Sequence, residues 1–561
     1  MIRFFTVFLI LCFGAFLRFE NVSPFKYYPD AYQNLLVAEN IKTYKSVVGF
    51  LGQEGMLYPD FVMWSRPVYP LLINITSFLI EDSALAAHVI SFLMGVAAIP
   101  LAFFLAKSIF KSFAVGFAAA FLLSLSFLHT LWSGSIMTET TGVFFIMLFL
   151  WRLFSSLESK AKLFDLYDFL IGAIFGVAVL TRYEYIFLIV PTVILLILKS
   201  PSPYLRILNI IVSFFLVVAV CLSQLFPLQS SLSYIVSQLE HMLILAGFIL
   251  ILLTGISIGS YLFFRSSKNI ATRLNLVIAG IFWILGIVLV LQFINQRFFP
   301  FGYYDFTSLR SFVRDDMLIA FTFLIGLTIL VRQSKYKAPV LFVIVSLFGM
   351  YLIYHRINPE MQRYITHLLP FLIIPASYGL YVVVKTIKRL ITSESVDKKV
   401  YGSILFVFFF ALTVKQTITT FQGITYWSDG SWIRASYEEK AARMVAEKID
   451  KNTILIASFP EPYYYFAKVS TQSIADTYPF VFIDGALDNR TVLIVQDMGM
   501  HDVFPAFSKF LDTQLQKYRQ DSFWAQESYH YRTRIEKEKY PVILYRIKLS
   551  ELKEIIKKYI I

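Results

Sequence analysis

Residues 2–32 read IRFFTVFLILCFGAFLRFENVSPFKYYPDAY, an apolar run that gives way to a loop closing on Tyr27-Tyr28-Pro29-Asp30-Ala31-Tyr32. A run of about 20 apolar residues in α-helix crosses a hydrocarbon layer of roughly 30 Å. No small-x-small cleavage site precedes Asp30, so 2–19 reads as an uncleaved first span rather than a signal peptide. A carboxylate therefore stands where the chain first leaves the membrane, ahead of an amphipathic stretch and Ser65-Arg66-Pro67-Val68-Tyr69-Pro70.

The rest of the chain repeats this apolar character. Of 561 residues, 57% are hydrophobic and 16% charged, with a mean hydropathy of +0.66. A soluble fold with that balance would lack polar surface to face water. The pattern predicts a polytopic α-helical membrane protein with about 13 transmembrane helices. They fall at roughly 2–19, 84–106, 113–131, 140–154, 166–181, 184–199, 206–225, 241–264, 274–292, 316–332, 338–354, 365–385 and 400–416. Residues 1–416 form the membrane domain, whose first outer loop covers about 20–83.

Short connections carry Lys107 and Lys111, then Arg152, Lys160 and Lys162, then Lys199 and Arg206, and at the far end Lys385, Lys388, Arg389, Lys398 and Lys399. Basic short loops face the cytoplasm, which puts the N-terminus inside and, after an odd number of spans, the C-terminus outside. This threading needs 166–199 to be two short spans with a hairpin near Arg182. A single span there would swap every later loop and place the most basic ones outside. The net charge of +13 is spread over these loops, so no nucleic-acid partner is expected.

From residue 417 the composition changes. A helical pattern at 436–450, strand-like runs at 453–459, 491–496 and 540–547, and a helix at 503–517 predict a small α/β extracytoplasmic domain over 417–561. It contains no glycine-rich phosphate loop. Cys12 and Cys221 both lie in apolar segments, so neither a disulfide nor a cysteine metal site is expected. No cofactor is implied, and a divalent metal stays open.

Ionisable residues collect at the outer ends of the spans: Asp30 and Arg66, His129 and Glu139, Arg182 and Glu184, Arg297 and Arg310, Asp315 and Asp316, and His355, Arg356, Glu360, Arg363 and His367. Charge in lipid is costly and usually functional. A site built from these residues would open to lipid on one side and water on the other, which suits a lipid-anchored substrate.

Three passages resemble the GT-C glycosyltransferases, specifically the protein O-mannosyltransferase and aminoarabinose-transferase branch that uses polyprenyl-phosphate sugars. They are YYPDAYQNLLVAENI at 27–41 with RPVYPLLI at 66–73, LLSLSFLHTLWSGSIMTET at 122–140, and GVAVLTRYEY at 176–185 together with QRYITHLLPFLIIPASYGL at 362–380. The similarity in layout covers roughly residues 1–390. That branch has Asp-Glu where this chain has Asp30-Ala31. Tyr426-Trp427-Ser428-Asp429-Gly430 only faintly resembles the Trp-Trp-Asp-Tyr-Gly element of oligosaccharyltransferases.

The resemblance implies sugar transfer from a dolichyl- or undecaprenyl-phosphate donor to an extracytoplasmic protein, lipid or glycan acceptor, and the lack of organelle signals points to a prokaryotic cell membrane. In that reaction Asp30 is the candidate general base, since one placed carboxylate can contribute about 10²–10⁴-fold. The alternative for Asp30 is a helix N-cap. Arg363, Arg182 and Arg66 are candidates for the donor phosphate, because a guanidinium matches phosphate oxygens in a fork; interfacial snorkelling is the alternative. Glu139 reads as a second acid, a metal ligand or a helix N-cap partner for its span, and Asp315 and Asp316 as helix openers. A transporter or lipid flippase is the competing function, but such proteins gather polar groups at the midplane, and here they lie to one side.

Overall fold

The computed structural model describes residues 2–20, 29–44, 66–225, 312–357 and 362–421, and in the tail 439–450, 453–458, 460–467, 471–473, 489–497, 500–501, 504–530 and 535–560. The expected spans 241–264 and 274–292, Arg297, Arg310 and the 426–430 element lie outside the described residues, as do the side chains of His355, Arg356 and Glu360.

The helices follow the sequence in order: α1 (Ile2–Glu20), α2 (Pro29–Tyr44), α3 (Val68–Ser77), α4 (Ser83–Phe110), α5 (Phe113–Leu125), α6 (Phe127–Ser133), α7 (Glu139–Ser156), α8 (Leu166–Thr181), α9 (Ile189–Lys199), α10 (Pro203–Leu225), α11 (Met317–Val331), α12 (Lys337–Ile357), α13 (Leu369–Ile391) and α14 (Val396–Phe421). Four described helices are long and apolar enough to cross a membrane, and two further pairs would qualify as bent spans. Large apolar side chains stand exposed along α1, α10 and α14, including Phe8, Phe215, Val407 and Phe410. A water-soluble surface would not carry that many, and the chain is a multi-pass membrane protein.

Local chemistry sets several helix ends. Asp82 caps α4 by accepting from the Ala84 and Leu85 amides at 2.8 and 3.2 Å, and Asp165 caps α8 through the Tyr167 amide. The expected span 184–199 is a 3-10 turn over Tyr183–Leu188 followed by the eleven-residue α9, about 16 Å of α-helix. Arg206, counted above among the loop charges, is buried against Asp168 at 3.1 Å and donates to Ser159 O and Oγ.

The expected span 113–131 is broken. α5 and α6 meet at Ser126 with a bend of 60°, which leaves the carbonyls of one helix and the amides of the next without helical partners. Arg18, fully buried in α1, donates to the carbonyls of Leu123 at 3.0 Å and Ser124 at 3.4 Å. On the other side Asp316 accepts from the amides of Phe127 and Leu128 at 2.8 and 3.2 Å, and from Ser126 Oγ. Gln416 of α14 closes the gap by donating to Leu125 O and Asp316 Oδ1. The reading of Asp316 as the opener of its own span is therefore corrected. It occupies the N-cap position of α11 without a side-chain bond there, and it caps α6 instead. Asp315 pairs with Arg314 at 2.7 Å.

The tail forms one five-stranded sheet in the order β2-β1-β3-β5-β4, from β1 (Ile454–Ala457), β2 (Thr471–Ser473), β3 (Thr491–Gln496), β4 (Arg519–His530) and β5 (Ile535–Lys548). β1 lies parallel to β2 and β3, while β5 runs antiparallel to β3 and β4. Ile454, Ile456, Val492 and Ile494 enter one core, and Leu455, Ala457, Leu493 and Val495 the other. Burial on both faces explains why TILIASF and TVLIVQ are continuous apolar runs. Helices α15 (Pro460–Ala467), α16 (Pro505–Gln514) and α17 (Leu549–Ile560) accompany the sheet. Strands β2 and β4 and helices α15 and α17 had no counterpart among the sequence expectations.

At the end of β3, buried Asp497 accepts from Ser458 Oγ at 2.9 Å, Tyr463 Oη at 2.6 Å and the Met500 amide at 2.9 Å. Burial pushes its carboxyl above the usual range, and these donors reverse that only in part. Tyr463 belongs to α15, whose Tyr465 and Phe466 rings pack 5.5 and 5.8 Å from Tyr32 of α2. The tail is thus docked on the helix that carries Asp30.

Asp316→Ala strips several donors of their acceptor at the α5–α6 break. Thermal unfolding in detergent is expected to show a loss of about 2–3 kcal/mol, with Asp316→Asn losing less because one acceptor oxygen remains.

Candidate active site

The turn between α7 and α8 determines what meets at the site. These helices are an antiparallel pair, so Glu139, the first residue of α7, and Arg182, just past the end of α8, come out at the same level. Both are fully buried, and an Arg182 NH donates to Glu139 Oε1. Gly142, one turn into α7, leaves room for this pair: a Cβ there would stand 3.0 Å from Tyr185 Oη and 3.3 Å from Arg182 Cγ.

Two further elements end at this point. Arg363 lies just before α13, and its Nε is 2.8 Å from the same Glu139 oxygen. Its outer nitrogen donates to Asp30 Oδ2 at 2.6 Å. On the opposite flank Arg182 is 3.7 Å from Glu184, which accepts from Arg66 at 3.0 Å. The result is one alternating row, Asp30–Arg363–Glu139–Arg182–Glu184–Arg66, drawn from the start of α2, the approach to α3, the α7–α8 hairpin and the approach to α13. Tyr364 lies under both Arg182 and Arg363, at 5.6 and 5.2 Å from its ring centre.

All five residues singled out from the sequence, Asp30, Glu139, Arg363, Arg182 and Arg66, lie in this row. Glu184 joins them; the sequence marked it only as an outer polar residue. His367, marked in the sequence only as an outer ionisable residue, is fully buried beside the row and shares a 2.7 Å hydrogen bond between its Nδ1 and Tyr185 Oη. The closeness of Glu184 and Tyr185 to Arg182 in TRYEY was the available signal for both. His129 is elsewhere, bonded to Arg18 at 2.8 Å, and Asp315 and Asp316 belong to the helix break. Among the described residues no three His, Cys, Asp or Glu side chains gather as a metal set.

The helix-cap alternative for Asp30 does not describe its position. Asp30 is the second residue of α2, in the first turn, and its carboxylate is spent on Arg363. Its side chain keeps 42% of its surface exposed, against none for Glu139 and 12% for Glu184. Packing pushes its carboxyl upward, but Arg363, Arg66 and Arg182 together hold it below the usual carboxylate range. The row thus has an open, acidic end and a closed, dry middle.

The sequence model of the family described as dolichyl-phosphate-mannose-protein mannosyltransferase matches residues 65–228. That is under a third of the chain, and it takes in Arg66, Glu139, Arg182 and Glu184. No curated protein matches the sequence. Among solved structures, the oligosaccharyltransferase of Archaeoglobus fulgidus in its apo form aligns with a TM-score of 0.56 at 12% identity, over 99% of this chain and 78% of that one. ArnT from Cupriavidus metallidurans bound to undecaprenyl phosphate aligns with a TM-score of 0.54 at 12% identity, over 96% of this chain and 97% of that one. The likeness is one of fold. The resemblance to GT-C glycosyltransferases of the protein O-mannosyltransferase and aminoarabinose-transferase branch accordingly holds both in a family sequence model and in architecture.

Removing Glu139 would leave the buried Arg182 with only the more distant Glu184 carboxylate, 3.7 Å away, as counter-charge. Glu139→Ala is expected to destabilise the protein by about 3–5 kcal/mol. Glu439→Ala, which breaks the more exposed Glu439–Arg443 pair, should cost only about 0.3–0.5 kcal/mol. Thermal unfolding of the two variants side by side measures the difference.

Proposed function

We propose that this protein is a membrane glycosyltransferase that moves a sugar from a polyprenyl-phosphate donor to a protein, lipid or glycan acceptor outside the cytoplasm. The observation that carries the reading is the 2.6 Å pair between Asp30 and Arg363 at the open end of the row. It joins the residue suited to take a proton to the residue suited to hold a phosphate. The family description, which names dolichyl-phosphate-mannose, and the undecaprenyl phosphate held by ArnT support a lipid-phosphate donor.

The chemistry follows from these groups. The acceptor oxygen attacks the anomeric carbon as Asp30 removes its proton. The bond from that carbon to the phosphate oxygen breaks, and its electron pair leaves with the polyprenyl phosphate. Arg363 stabilises the charge that develops there, with the buried Arg182 behind it. Attack opposite the leaving phosphate inverts the sugar carbon. Glu139 and Glu184 hold the arginines in place, and no cofactor enters the scheme.

Orientation belongs to the same proposal. α7 and α13 both begin at the row. Their other ends run to Lys160 and Lys162 in one case and to Lys385, Lys388 and Arg389 in the other. The eighteen residues of α7 span about 27 Å. The basic loops and the row therefore lie at opposite ends of the bundle, which supports a cytoplasmic N-terminus and an extracytoplasmic row and tail.

Asp30→Asn keeps size and most hydrogen bonding but removes the base. Transfer from labelled polyprenyl-phosphate sugar by folded, purified protein is expected to fall by about 10²-fold or more, with Asp30→Glu retaining part of the rate. Near-normal transfer by Asp30→Asn would remove Asp30 from the mechanism. Topology has a separate test, in a background with Cys12 and Cys221 replaced. A cysteine at Lys509 should react with an impermeant thiol reagent on intact cells, and one at Lys160 should not. Labelling at Lys160 would invert the membrane orientation.

A further inference from the structure

The row is electrically balanced. Three guanidiniums, of Arg66, Arg182 and Arg363, face three carboxylates, of Asp30, Glu139 and Glu184. An anion that enters such a row gains little from its net charge. If it takes the edge of an arginine that already holds a carboxylate, it must displace that carboxylate, because a guanidinium engaged at one edge cannot present the same edge to a phosphate fork.

Only one carboxylate is placed to yield. Glu139 is fully buried and touches two arginines, so displacing it would strand charge in a dry interior. Glu184 is nearly buried and likewise lies between two arginines. Asp30 is different. It is the most exposed of the three, contacts a single arginine in the row, and stands in the first turn of α2. Arg363 can let it go and keep Glu139 as its anchor through Nε.

We infer that Asp30 and the phosphate of the lipid donor compete for Arg363, so that the arginine restrains the aspartate in the empty enzyme and donor binding releases it. The inference rests on the proposed function and adds an order of events to it. While Asp30 is paired, its oxygen is occupied by a donor and its carboxyl is held below the usual range, which makes it a poor acceptor of protons. When the phosphate takes Arg363, Asp30 loses its guanidinium and swings free towards the acceptor. The base becomes competent only when a donor is in place, so water meets an unarmed site.

The test is an affinity measurement on the full-length protein in nanodiscs, with undecaprenyl phosphate, which carries no sugar, as the probe. Competition predicts the unusual result that removing the proposed base improves binding. Asp30→Asn should bind the probe about tenfold more tightly than the unaltered protein, the scale of one charge-assisted hydrogen bond no longer displaced. Asp30→Glu keeps the competing carboxylate and should stay close to the unaltered protein. A double-mutant cycle separates competition from simple repulsion between anions. In an Arg363→Gln background the gain from Asp30→Asn should vanish, whereas general repulsion would persist there.

Equal or weaker binding by Asp30→Asn, or a gain that survives Arg363→Gln, overturns the inference. If transfer is lost in Asp30→Asn without any gain in affinity, the proposed function stands and the competition falls. If affinity rises while transfer is kept, the competition stands and Asp30 is not the base.

Discussion

A charge buried without a partner costs several kcal/mol, and this constraint organises the membrane part of the protein. Arg182 and Glu139 have no exposed surface, so each is tolerable only because opposite charge stands beside it. Their pairing fixes the α7–α8 hairpin. Glu139 then draws in Arg363 and the start of α13, and Arg182 draws in Glu184 and through it Arg66. The row is therefore both the candidate chemical apparatus and the clasp that makes separate helix ends converge. Asp30, at its edge, has the looser attachment that the proposed base needs.

The break between α5 and α6 follows the same logic with the partners reversed. A helix C-terminus carries partial negative charge and an N-terminus partial positive charge. Here a buried arginine faces the first and a buried aspartate the second. Arg18 comes from α1, Asp316 from the approach to α11 and Gln416 from α14. A discontinuity that would otherwise expose unpaired backbone groups to hydrocarbon becomes the junction of four segments, in keeping with the rule that irregular backbone at membrane depth must be enclosed by protein.

Sequence and structure agree most where one residue type at one position suffices. Helix-length apolar runs located α1, α4, α7, α8 and α13 to within a few residues, because a hydrocarbon layer leaves few other options. TVLIVQ coincides with β3, since a strand buried on both faces must be apolar throughout. The five site candidates were legible because polar residues at span ends are scarce and easily noticed. What escaped was pairing across the chain. Asp316 has the sequence context of an N-cap for α11 and serves another helix 188 to 190 positions away. Arg18 looks like a snorkelling residue at the end of a span, yet it is enclosed. β4 reads RQDSFWAQESYH, polar at both ends around Phe-Trp-Ala, which shows neither a strict two-residue alternation nor a run of aliphatics. The short β2 has too few residues to show any period.

The contacts of the row also imply an order of assembly as the chain is made. Glu139 and Arg182 are 43 positions apart and can pair as soon as one hairpin is in place. Arg363 and Asp30 are 333 positions apart, and the aromatic helix that packs on Tyr32 is later still. During synthesis α2 must wait beside the bundle with its carboxylate unengaged and one flank uncovered, while most of the protein is added. The closed centre of the row is an early local product, and its open end is a late, non-local one. A chain interrupted before residue 363 can hold the Glu139–Arg182 centre of the row but lacks the arginine that joins it to Asp30, so the row is closed only in a finished molecule.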